Sequence, residues 1–222
     1  MQILPSRGQF LNEPASAALL NALEDRQQDL GITDAVIYHS FPLYRDEEGG
    51  LVAADAVLAS RVYGVVAFAL TSAEAALPPA EEERCLAIAE QVPPYVQSRL
   101  IKNCQLRRGP TELAFSIMPV LYGPLLSNEC RADGVHILHS PEELYGFLDG
   151  IRTEPLGIET FNELIATLEG AKDLIRPKKR PQVSQDESSK GKQAELVEAA
   201  ITLFDQQQKQ GIMGRVTGPQ RR

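Results

Sequence analysis

Residues 51–72 constrain the fold more than any other stretch. Leu51-Val52-Ala53-Ala54-Asp55-Ala56-Val57-Leu58-Ala59-Ser60 is apolar and β-prone nearly throughout, and so is Val65-Val66-Ala67-Phe68-Ala69-Leu70-Thr71-Ser72. Between them lies Arg61-Val62-Tyr63-Gly64, a tight turn with a glycine, so the pair reads as a β-hairpin. Strands this apolar on both faces belong at the centre of a sheet covered by helices on either side. One acid, Asp55, stands inside the first run. A carboxylate among apolar strand residues is costly unless it has a partner or a chemical task. Asp55 is therefore the first candidate functional residue.

The flanking pattern supplies the layers. Asn12 as a cap, Pro14 in the first turn and Gly31 as a stop frame an opening helix, with Leu19, Leu23 and Leu30 broadly on one face. Residues 35–40 form a first strand, and 45–50 are a polar turn. With the hairpin this makes three consecutive strands on short connections, an antiparallel meander. Residues 80–92 are helical, with Cys85, Ile88, Ala89 and Val92 on one face. Pro93-Pro94 is expected to break that helix and Pro94 to open another over 95–103. A strand over 112–122 is bent or ended at Pro119. Residues 134–139 form a further strand, and Ser140-Pro141-Glu142-Glu143 has the spacing of a capped helix start. Residues 160–175 form one more amphipathic helix. His136 and His139 are three apart on a strand and point to opposite faces, so they do not converge on a metal.

Composition sets limits on partners. The chain has 222 residues, is 43% hydrophobic and carries a formal net charge of −8. A broad electrostatic grip on nucleic acid is not its default, although a local basic patch is compatible with that balance. Such a patch is offered by Lys102, Arg107 and Arg108, with Arg61 in the hairpin turn as a further cation. Cys85, Cys104 and Cys130 have no metal-binding spacing and read as reduced thiols. The first residues lack a signal-peptide pattern and no apolar run is long enough to span a bilayer, so a cytoplasmic protein is expected.

The hairpin with its single acid resembles the core of the restriction-endonuclease-like nucleases, the PD-(D/E)XK group. It is most similar to the nuclease-related domain at the front of bacterial superfamily I DNA helicases. The resemblance implies an α/β (α+β) fold: a central mixed sheet flanked by helices, plus a C-terminal helical segment. In that family an acid on the first hairpin strand and an acid-x-lysine on the second hold a divalent metal such as Mg²⁺ and prepare the attacking water. Asp55 matches the first acid, and Glu13 matches a glutamate near the start of the opening helix. The acid and lysine positions fall on Ala69 and Thr71, around Leu70, so both functional side chains are missing.

Composition changes after residue 175. Residues 176–193 are first basic, then polar, and read as a flexible linker after a domain over 1–175. Residues 194–222 return to a helix followed by a Gln-rich stretch. That end is similar to the lead-in of a helicase motor, in which Gln208 matches the adenine-reading glutamine. No G-x-x-x-x-G-K-[ST] phosphate loop occurs in the sequence, so ATP hydrolysis by this chain alone is not expected. The expectation is a catalytically degenerate nuclease-fold domain that recognises DNA, a helicase motor or another protein. One alternative is a dimerising accessory module with no DNA role. Another is an active nuclease with a migrated site built from Asp55, Glu13 and Glu74, with Arg61 or Lys102 as its cation.

Overall fold

The computed structural model describes residues 1–45, 51–71, 78–127 and 132–175. Glu74, the expected linker over 176–193 and the lead-in over 194–222 with Gln208 lie outside them. The first compact unit of the chain runs from Met1 to Arg176. Its strands are β1 (Gln2–Leu4), β2 (Val36–Arg45), β3 (Leu51–Ser60), β4 (Gly64–Leu70), β5 (Ile117–Tyr122) and β6 (His136–Leu138). Its helices are α1 (Arg7–Leu11), α2 (Pro14–Asp25), α3 (Pro79–Leu100), α4 (Pro141–Gly150) and α5 (Ile158–Ile175).

The strands form one mixed sheet in the order β1-β2-β3-β4-β5-β6. β2, β3 and β4 are the expected antiparallel meander, while β1 joins β2, β5 joins β4 and β6 joins β5 in parallel. One face packs against α1, α2 and α4 through Phe10, Leu19, Leu23, Leu144 and Leu148, which meet Leu58, Val66 and Phe68 of the hairpin. The other packs against α3 and α5 through Val92, Val96, Leu100, Phe161 and Leu164, which meet Val57, Val65 and Ala67. Covering both faces explains why β3 and β4 are apolar at successive positions.

Several boundaries differ from the pattern expected of the sequence. Glu13, not Asn12, occupies the cap position of α2, and Asn12 ends α1. α2 stops at Asp25; Gly31 serves a later turn at φ +67°. The short strand β1 has no counterpart in the expected pattern, because three residues carry no periodicity. α3 runs unbroken through Pro93 and Pro94. The two prolines donate no backbone bond, but Ala89, Val92, Val96 and Leu100 hold the helix on the sheet at helical spacing, and burial outweighs the loss. The fifth strand begins at Ile117, not at 112, and includes Pro119. Val65 donates its N–H to Ser116 O at 3.1 Å, which fixes the phase of the parallel ladder. Ile117 and Pro119 therefore turn their backbone groups away from β4. On that outer side pairing with β6 begins only at Val120, so the proline nitrogen forfeits no ladder bond.

α4 starts as its sequence demands. Ser140 Oγ accepts from Glu143 N at 3.2 Å, and a Glu143 carboxylate oxygen accepts from His139 N at 2.6 Å. The neighbouring His136 ring lies 4.6 Å from that of Phe147 in the same helix.

Candidate functional site

The hairpin turn is held from outside. Gly64 lies at φ +69°, and a Cβ built on it would stand 2.6 Å from Ser116 O and 3.0 Å from Phe115 Cβ. Only glycine meets both demands without strain. Arg61 is tied to the loop after α4: its Nε donates to Leu156 O at 2.8 Å, and Leu156 N donates to Arg61 O at 2.8 Å.

Midway along β2 and β3 the strands change phase. In a regular strand, residues three apart face opposite sides. Yet Tyr38 and Phe41 share one cluster, as do Ala54 and Val57. The inversion centres on Ser40 and on Asp55, which both lie between the pairs His39–Ala56 and Phe41–Ala54 of the β2–β3 register. Ser40 takes φ +48°, a backbone conformation that costs a residue with a Cβ about 1–2 kcal/mol. Strain of this kind, held by surrounding structure, marks candidate functional positions.

Asp55 has three defined neighbours at this kink. One carboxylate oxygen accepts from Leu70 N at 2.7 Å. Glu13 and His39 are the side chains whose electrostatics bear on it. Glu13 Oε2 in turn lies 3.3 Å from His39 Nε2 and accepts from Ser16 Oγ at 3.2 Å. His39 is only 8% exposed, and its ring meets Phe10 edge-on at 4.8 Å. Burial raises the Asp55 pKa above the usual carboxylate range; the Leu70 N–H opposes that shift, the Glu13 charge adds to it, and His39 opposes it. The structure thus brings together Asp55 and Glu13, both singled out from sequence, and adds His39, which was not. The signal for His39 was the same as for Asp55: a polar side chain inside an apolar strand.

Ala69 and Thr71 stand elsewhere. Ala69 is 4% exposed and packs with Ala89 of α3, Leu121, Leu126 and Val135, on the α3 side of the sheet. Val66, Phe68 and Leu70 are the β4 side chains that face the layer of α1 and α2, where His39 and Glu13 are. Thr71 is 4% exposed and its Oγ1 has no hydrogen-bond partner among the described residues; it fills the space a Cβ on Gly123 would need, 1.7 Å from that position. Neither register offers a second-strand carboxylate or a lysine beside Asp55.

That donor set does not fit the Mg²⁺ centre of an active nuclease. Mg²⁺ favours octahedral oxygen ligands, usually one or two carboxylates with waters and substrate phosphates. Here one oxygen of Asp55 is engaged by Leu70 and one of Glu13 by Ser16 and His39. No group of three or more His, Cys, Asp or Glu among the described residues is arranged to hold a metal ion.

The basic residues are split. Lys102, Arg107 and Arg108 are exposed where α3 ends and the chain turns toward β5. Arg107 Nε donates to Ile101 O, and Arg108 N donates to Glu112 O at 2.9 Å. Arg108 opens onto a cleft that Leu156 also lines, while Arg61 lines a separate groove beside α5.

The raised Asp55 pKa has a stability consequence with a definite sign. The fold favours the protonated acid, so this group's contribution is full below about pH 4 and declines as pH rises through the raised folded value. Asp55→Asn keeps an oxygen for Leu70 N–H and removes the buried charge. It should raise stability at neutral pH by about 1 kcal/mol, with the gain shrinking toward pH 4. Urea unfolding across that range reads it; a neutral-pH loss of stability would contradict the assignment.

No protein-family model, curated protein or solved structure matches the chain.

Proposed function

We propose that this chain carries a nuclease-type fold whose cleavage machinery is absent, and that it works by recognition of DNA or of a partner protein such as a helicase motor. The observation that carries this reading is the kinked strand β3. It sets Asp55 beside Glu13 of the opening helix while Phe68, Ala69, Leu70 and Thr71 supply neither acid nor lysine. The element order supports it: opening helix, three antiparallel strands, a long helix, a strand parallel to the last, then strand and helix. Such a domain acts in the cytoplasm. No helix among the described residues is long and apolar enough to cross a membrane.

The test titrates fluorescent single- and double-stranded DNA with the protein at low salt, with and without Mg²⁺ or Mn²⁺, beside Asp55→Ala. Binding without cutting, indifferent to metal, is the expected result. Replacing Lys102, Arg107 or Arg108 with alanine should lower the salt dependence of binding by about one counterion for each cation removed. Metal-dependent cutting abolished by Asp55→Ala would replace this reading with a migrated nuclease site. Absence of DNA binding would move the function to a protein partner, which the net charge of −8 favours.

A further inference from the structure

At one end of the sheet, the loop leading into β5 and the loop joining α4 to α5 enclose an open cleft of about 800 Å³. Its apolar lining includes Met118, Ile151 and Leu156, all half-buried. Three charged residues line it: Arg108 and Glu112 from one loop, and Glu154 from the other, all exposed. Ile117 of β5 lines the same cleft.

Ile117 has a backbone property that its neighbours lack. The Val65–Ser116 bond sets the phase of β5, so the N–H and C=O of Ile117 point away from β4. β6 pairs only with Val120, Leu121 and Tyr122, and Gly134 at φ +82° turns the chain before the ladder could extend to Ile117. Among the described residues, one rung of the sheet edge is left open onto an apolar-lined cleft. Native proteins cover such edges, and an extended peptide pairs with them readily.

We propose that this cleft docks an extended peptide segment of a partner protein. The segment pairs with Ile117 and sets a Lys or Arg side chain against Glu112 and Glu154. An apolar neighbour in the peptide settles on Met118, Ile151 and Leu156. Two carboxylates against one guanidinium make the lining net negative, which favours a basic peptide over the phosphates of a nucleic acid. This inference does not depend on the nuclease-type reading, because the cleft shares no residue with the Asp55 site.

The test pans a displayed library of random peptides on the whole chain, then measures the selected peptides against the wild type and the Glu112→Lys/Glu154→Lys double variant. Both substitutions are exposed, so folding is retained. The expected result is enrichment of a basic residue, an affinity loss of about tenfold or more in the double variant, and slower amide exchange at Ile117 when a selected peptide is bound. Unchanged affinity in the double variant, unchanged exchange at Ile117, or a failure to enrich basic peptides would each overturn it. So would protection of Ile117 by a single-stranded oligonucleotide in place of the peptides.

Discussion

Gly64→Ala should destabilise the protein by about 2–5 kcal/mol. Two independent costs add. A Cβ at φ +69° costs about 1–2 kcal/mol. The same Cβ would meet Ser116 O at 2.6 Å, a backbone atom that cannot swing aside because Val65 N–H is bonded to it. Overpacking of that kind adds about 1–3 kcal/mol. Total stabilities of domains run to about 5–15 kcal/mol, so the variant should melt at a much lower urea midpoint. The loss should be largely local in origin, since Gly64 joins the hairpin to β5. A loss below about 1 kcal/mol would mean that β5 does not press on the turn as described.

Ala69→Glu should cost about 3 kcal/mol or more at neutral pH and yield no nuclease activity. The side chain would enter the cluster of Ala89, Leu121, Leu126 and Val135 with no cation among them. A buried unpaired carboxylate is among the most destabilising changes a core can receive. Protonation relieves the charge, so the penalty should shrink as pH falls toward 5, whereas an exposed glutamate would leave stability unchanged over that range. The variant separates two arrangements of the hairpin. If position 69 faced Asp55 and open solvent, the substitution would be nearly neutral and could restore metal binding. If it faces α3, stability drops and isothermal titration with Mn²⁺ shows no gain.

Gly64 is visible in the sequence as the glycine of a tight turn between apolar runs, and the turn is there. Its second constraint, the approach of Ser116, comes from a residue 52 positions on in the numbering and has no local signature. The antiparallel meander, the capped start of α4 and the sheet covered by helices are likewise legible, because each follows from period, turn chemistry or capping within one short window. α3 is not. Local chemistry says that Pro93-Pro94 ends a helix, and four buried residues spaced along one face override it.

The site divides in the same way. The sequence alone determined that Asp55 needs an explanation, since a carboxylate inside an apolar strand has no cheap way to exist. It also determined that no acid-x-lysine follows on the next strand. Which neighbours Asp55 has was decided by the tertiary structure. Glu13 lies 42 positions before it and His39 lies 16 before it, on separate elements that only the packed sheet and helix layer bring near. The kink at Ser40 decided the rest. A period-2 reading assigns faces by counting; the count is reversed on β2 at Ser40, at φ +48°, and on β3 at Asp55, while β4 alternates regularly, so Ala69 faces α3 and Asp55 stands with Glu13 and His39. Residue types are fixed by the sequence; which face each one occupies depends on a phase that a single strained residue can invert.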